Sequence, residues 1–174
     1  VIMVERQKAI KMIKSKKYKL NDIDINVIHL HEYLMNELTD VDAFLKKMHR
    51  LIKHYNLTCS AIGDVPNNID EIKQRYKKTY YAKINKEGYL KLRDDYNFNP
   101  QNYNLLYLLL VFGFNHMIRF NNSGKFNLPV GNVDWNHNVE NALKNYANFS
   151  NKRDIKLYNE DFEDFIGSQN LNSN

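Results

Sequence analysis

Residues 101–135, QNYNLLYLLLVFGFNHMIRFNNSGKFNLPVGNVDW, are the stretch around which the chain is organised. Residues 105–112 form a run so rich in Leu that a buried helix is the natural reading. The run breaks at Gly113 and turns polar, basic and aromatic. Residues 117–120 and 125–128 are predicted as short strands around the turn Asn121-Asn122-Ser123-Gly124, because Asn and Gly tolerate positive φ there. Pro129 and Gly131 end the second strand. A hairpin carrying Arg119 and Lys125 on a buried helix is a rigid probe. Such a probe suits a nucleic-acid groove.

The chain has 174 residues, room for one domain with a core, or a core plus an insertion. A hydrophobic fraction of 43% with 13% aromatics marks a folding sequence rather than a disordered one. The net charge of +5 and pI near 9.1 favour a polyanionic partner only weakly, since membrane-surface proteins share that balance. The lone Cys59 excludes a disulfide framework and a cysteine-rich zinc site, and fits a reducing cytoplasm. No apolar run reaches the roughly 18 residues needed to span a bilayer, and no signal peptide is visible. The chain starts at Val1 without an initiator Met, which is expected of a fragment or a processed product.

Along the chain, residues 1–20 are basic and place Ile2, Ile10 and Ile13 at helical spacing, with a short strand expected over 17–20. Val27, Ile28, Leu30, Leu34 and Leu38 predict a helix over 25–38 with Asp24 as its N-cap. A second helix follows Thr39, with Phe44, Leu45, Met48, Leu51, Ile52 and Tyr55 on one face. A loop over 56–67, a charged Tyr-rich helix over 69–84 and another helix over 88–97 come next. Beyond the central stretch, residues 137–149 are helical, 155–158 a strand, 161–166 a short helix, and the tail frayed. Strand–helix units at both ends with a helical middle suggest an α/β protein interrupted by a specificity domain.

Asp22 follows the first expected strand and precedes a helix. In doubly wound sheets an acid there accepts from the ribose hydroxyls of a nucleotide cofactor, and the plainer alternative is a helix cap. Asp161 and Phe162 repeat the arrangement. The carboxylate could accept from an adenine amine while the ring packs on the base, or the pair could be a cap and a core residue. Arg119 is the sharpest candidate, since a guanidinium can bond guanine through two acceptors in the major groove; a surface salt bridge is the alternative. Phe114 and Met117 could wedge between base steps or belong to the core. Asn115 could touch a base edge or make a turn. The six histidines show no convincing metal spacing. The Tyr-rich run over 76–89, interleaved with Lys, could touch a nucleic-acid backbone or be a solvated face.

GFNHMIRFNNSGKFNLPVG, residues 113–131, resembles the target-recognition hairpin of the Dam-type adenine-specific DNA methyltransferases, roughly N-x-x-x-R-x-N-x-x-G-x-F-N-x-P-[FY]-G. Asn115, Arg119, Asn121, Gly124, Phe126, Asn127, Pro129 and Gly131 match, and Val130 replaces the usual aromatic. GYLKLRDDYN, residues 88–97, is similar to the phage-like branch. Asn21-Asp22-Ile23 resembles the family's second cofactor motif and Asp161-Phe162 its third. The resemblance implies an α/β fold: a Rossmann-like S-adenosylmethionine-dependent methyltransferase sheet, partial here, with an inserted, mostly helical target-recognition domain bearing a β-hairpin. It implies residues 1–56 and 137–174 in the cofactor-binding domain and 57–136 in recognition, with the DNA-reading hairpin at 114–131.

It also implies methyl transfer from S-adenosyl-L-methionine to the exocyclic amine of adenine in double-stranded DNA, at a GATC-type site in typical members. Carried over, Asp22 holds the cofactor ribose, Ile23 packs on its adenine, and Asp161 with Phe162 lines the same ring. Arg119 reads guanine, Met117 and Pro129 contact neighbouring bases, and Asn121 belongs to the DNA-binding turn. Phe114 and Asn115 fill the stack when the adenine swings out, a movement the paired amine requires. The F-x-G-x-G motif does not occur in residues 1–21, and the catalytic D-P-P-Y tetrapeptide does not follow Phe162. The expectation is therefore an internal piece of a longer enzyme, inert alone and without metal. The alternatives are a non-catalytic sequence-specific DNA-binding module and a helical interaction protein.

Overall fold

Apolar spacing is realised as helix through most of residues 22–168, the part that the structure, a computed structural model, describes. The expected basic helix over 1–20, the strand over 17–20 and the tail over 169–174 lie outside the described residues. Helix α1 (Asp22–Glu37) starts two residues earlier than its expected cap, so Asp24 lies inside the first turn. Helix α2 (Val41–His54) buries Phe44, Leu45, Met48 and Ile52 along one stripe. Its N-cap is Asp40, whose side chain accepts from the Ala43 amide at 3.0 Å.

The single helix expected over 69–84 is broken into α3 (Ile69–Tyr76), a 3-10 turn (Lys77–Thr79) and α4 (Tyr80–Ile84). Lys77 takes φ 50° and ψ −119°, which leaves the helical region and interrupts the hydrogen-bond ladder. Helix α5 (Lys86–Phe98) then packs on α6 (Tyr103–Phe112). As read from the sequence, α6 is apolar on every face and buried: Leu105, Leu106, Leu108, Leu109, Val111 and Phe112 are all in the core. Helices α1, α2 and α5 surround it. Helix α7 (His137–Ser150) is capped by Asn136, whose Oδ1 accepts from the Asn138 and Val139 amides at 2.9 and 3.3 Å. It packs on α2. Helix α8 (Phe162–Ser168) comes last.

Trp135, fully buried, stands edge-on to Tyr107 and His49, at ring separations of 6.2 and 6.0 Å. Its indole nitrogen donates to Glu140 Oε1 at 3.1 Å. Each such large apolar side chain contributes roughly 1.5–3 kcal/mol by leaving water.

Among the described residues, β pairing is confined to isolated bridges: Cys59 with Asp64, Cys59 with Trp135, Gly113 with Val130, and Phe120 with Phe126. Residues 155–158 are therefore not the strand that was expected; no neighbouring edge is present among the described residues to satisfy their backbone groups. The described part is mostly helical and does not show the Rossmann-like sheet. No helix among the described residues is long and apolar enough to cross a membrane, and no group of acidic, His or Cys side chains there could hold a metal ion.

Candidate nucleic-acid interface

The probe is mounted where α6 ends. Gly113 leaves the helix in extended backbone, at φ −79° and ψ 157°. Phe114 N–H donates to the Pro129 carbonyl at 2.9 Å, and Gly131 N–H to the Phe112 carbonyl at 2.7 Å. The two stems approach this closely because both crossing residues are glycines. A Cβ on Gly113 would lie 2.5 Å from the Leu109 oxygen, and one on Gly131 would lie 2.6 Å from the Gly113 oxygen.

The second arm is anchored from inside. Phe126 and Leu128 are buried, at 1% and 0% exposure. Asn97, in the last turn of α5, grips Phe126 like a one-residue third strand: its Oδ1 accepts from the Phe126 amide at 2.8 Å, and its Nδ2 donates to the Phe126 carbonyl at 3.0 Å. Tyr89, also on α5 and fully buried, donates its hydroxyl to the Leu128 carbonyl at 3.3 Å. Burial pushes that phenol well above its usual range, with Arg93 and Arg119 pulling partly against it, so it remains a neutral donor.

At the tip, Asn121 Oδ1 accepts from Ser123 N at 3.0 Å, Ser123 Oγ at 2.8 Å and Lys125 N at 2.9 Å. Gly124 supplies the left-handed residue at φ 72°. Asn121 N–H donates to the Lys125 carbonyl and Asn127 N–H to the Arg119 carbonyl, at 2.8 and 3.1 Å. These two bonds flank the Phe120 bridge to Phe126. The hairpin exists, but its ladder is shorter than the two strands expected from sequence.

The side chains singled out on this hairpin face water. Arg119 is exposed, and its guanidinium is fixed from the opposite arm: Nε donates to Asn127 Oδ1 at 2.9 Å and Nη2 to the Asn127 carbonyl at 2.6 Å. A guanidinium also donates from Nη1 and from the second Nη2 hydrogen, and that outer edge is not part of the lock. An open groove of about 630 Å³ runs beside it, lined by Arg119, Phe120, Asn121, Asn122, Ser123 and Asn127. Phe114 and Met117 are 50% and 45% exposed, far more than core residues. Asn115 and His116 adopt left-handed backbone at φ 54° and 53°, forming the bend between α6 and the first arm. Pro129 is exposed and sits opposite Phe114 through the bond described above.

The residues expected at the cofactor open two helices. Asp22 and Ile23 begin α1. Asp161 caps α8, accepting from the Glu163 amide at 2.8 Å, and Phe162 beside it is 67% exposed. A groove of about 320 Å³ separates His31 and Glu32 of α1 from residues 155–158, just before that cap.

Sequence reading missed Asn97 and Tyr89 as supports of the hairpin. It also missed Asn132, whose Oδ1 accepts from the Tyr81 amide at 2.8 Å and so ties the hairpin's exit to α4. The contacts of all three span tens of residues, so no local pattern announces them.

The sequence model of the D12 class N6 adenine-specific DNA methyltransferases matches residues 7–174. Modification methylase LlaI of Lactococcus lactis subsp. lactis is 30% identical over 90 residues, covering 52% of this chain and 14% of the relative. Modification methylase StsI of Streptococcus sanguinis is 27% identical over 140 residues, covering 80% of this chain and 17% of the relative. The chain thus spans less than a fifth of the length of either relative.

Proposed function

The chain belongs to the D12 class N6 adenine-specific DNA methyltransferase family, and from that premise we propose that residues 114–131 are the sequence-reading hairpin of an enzyme that methylates adenine in double-stranded DNA. The observation that carries this reading is the exposed, pre-oriented Arg119, held by Asn127 with its outer edge directed away from the lock. That edge can bond O6 and N7 of a guanine in the major groove. The site is of GATC type. Met117 and Pro129 lie against the neighbouring bases, Asn121 shapes the turn that reaches the backbone, and Phe114 with Asn115 fills the gap left by the flipped adenine.

S-adenosyl-L-methionine is the methyl donor this reading requires; when bound it supplies an electrophilic methyl group. The chemistry of the residues present suits part of such a site. Phe162 offers an exposed ring for an adenine, and Asp161, with Oδ1 committed to its helix cap, has a second oxygen for an amine. Asp22 and Ile23 would serve the ribose and the ring from α1. Residues 1–56 and 137–174 would belong to an α/β, Rossmann-like cofactor domain, and 57–136 to recognition. The D-P-P-Y tetrapeptide does not occur in residues 1–174, so the hairpin reading rests on DNA recognition and not on methyl transfer.

The test is binding, which does not depend on turnover. Fluorescence anisotropy with a GATC duplex and with a duplex altered at the guanine should show a preference in the wild-type chain. Arg119→Ala should weaken binding to the GATC duplex by roughly 1–3 kcal/mol and erase the preference. Equal binding of both duplexes by the wild type would sink the reading.

A further inference from the structure

We infer that the cationic turn formed by Lys73, Arg75, Lys77, Lys78 and Lys83 is a second DNA contact, a sequence-independent clamp on the phosphate backbone. It rests on the reading of the hairpin just given and extends it to a surface that the hairpin does not include. All five cations are exposed, and among the described residues none of them forms an ion pair with a carboxylate. Unpaired like charges this dense repel one another, and a polyanion relieves that repulsion.

The cations are also arranged rather than scattered. Lys73 lies over the Tyr80 ring at 5.4 Å, and Arg75 and Lys83 over Tyr76 at 5.6 and 5.4 Å. Ring contacts of this kind reduce the ordering that binding would otherwise require of long side chains. The break at Lys77 folds α3 back on α4 and brings these rings and cations together.

The turn and the hairpin share one frame. Asn132, the residue after Gly131, receives the Tyr81 amide at 2.8 Å and the Ala82 amide at 3.4 Å. Asn85, fully buried, donates to the Val133 carbonyl at 3.1 Å and accepts from Thr58 N and Oγ1, both at 2.8 Å. A hairpin seated in a groove therefore carries a fixed positive surface with it.

The experiment measures the salt dependence of binding by this chain to duplexes with and without GATC. In Lys73→Gln/Arg75→Gln/Lys77→Gln/Lys78→Gln, the slope of log K against log salt should flatten by about 0.9 for each cation that meets a phosphate. Both duplexes should weaken alike, with the GATC preference retained. Lys77→Gln/Lys78→Gln leaves every ring contact in place and should give a smaller shift of the same sign. Lys46→Gln/Arg50→Gln/Lys144→Gln/Lys152→Gln removes the same charge from α2, α7 and the turn after it, and should leave the slope unchanged. A wild-type slope in the cationic-turn variants, or an equal shift in the control, would overturn the clamp while the hairpin reading stands. Absence of any DNA binding by the wild type would overturn both.

Discussion

Arg119 and Asn127 face each other across the hairpin and are locked by two hydrogen bonds, Nε to Oδ1 at 2.9 Å and Nη2 to the carbonyl at 2.6 Å. The lock fixes a side chain whose ordering on binding would otherwise cost about 0.5–1.5 kcal/mol. On the proposed reading, an arginine set before it meets its base also rejects wrong bases more sharply, because it cannot swing aside to avoid a mismatch.

Asn127→Ala removes the Oδ1 acceptor but keeps the backbone carbonyl, so the guanidinium loses one of its two fixed points. The expected outcome is a partial loss of discrimination at the guanine, smaller than that of Arg119→Ala. In an Arg119→Ala background the same substitution should have no further effect on discrimination, because Asn127 acts through the arginine. A double-mutant cycle read by anisotropy checks this. Additive losses would mean that Asn127 contacts DNA by itself.

Asn97 is the second support. Its amide satisfies both the N–H and the C=O of Phe126, a residue at 1% exposure. Asn97→Ala strands those groups and should destabilise the fold by about 1–3 kcal/mol. Urea unfolding should show a lower midpoint with an unchanged m-value.

The glycines divide into two kinds. At Gly113 a Cβ would press on the Leu109 oxygen of α6 at 2.5 Å and on the Leu128 side chain of the second arm at 2.6 Å, and at Gly131 on the Gly113 oxygen at 2.6 Å, so alanine at either site must shift the stems of the hairpin. A cost of about 1–3 kcal/mol, typical of overpacking, is expected at either site. Gly124 has open space around its Cβ position but takes φ +72°, so alanine there costs only the left-handed conformation, roughly 1–2 kcal/mol. Thermal unfolding ranks the three. DNA discrimination should fall with Gly131→Ala before it falls with Gly124→Ala, since the stem sets where Arg119 points.

The contrast between these residues shows what the sequence could disclose. Helices α2 and α7 were visible because their apolar residues repeat at the helical period, and α6 because its Leu-rich run is apolar on every face; all three are covered by neighbours from the same chain. The hairpin was visible from its Asn and Gly residues and from the Arg119 motif. The break at Lys77 was not, because lysine has no preference for φ 50° and only the surrounding packing holds it there. Asn97 looked like one more polar residue near a helix end. Its role depends on Phe126, 29 positions away. Residues 155–158 have the composition of a strand, but composition cannot supply the neighbouring edge a strand needs.

Glu140 gives the chain a predictable response to acid. Burial alone would raise its carboxyl, but the Trp135 indole and the His49 ring, both bonded to Oε1 at 3.1 and 2.8 Å, outweigh burial and hold it below the usual range. His137 adds attraction from 3.7 Å. A depressed folded-state value means that the unfolded chain binds the proton more readily. The contribution to stability is therefore complete above the unfolded value, about 4.3, and is lost as pH falls through the lower folded one. Glu140→Gln keeps an oxygen for the indole but removes the titration. Urea midpoints at about pH 5 and about pH 3.5, below the range in which imidazoles ordinarily titrate, should fall further for the wild type than for Glu140→Gln. Glu140→Leu instead leaves the buried indole N–H without its acceptor and should cost about 1–3 kcal/mol at neutral pH. Parallel acid limbs for the wild type and the Gln variant would show that another carboxylate governs the acid response.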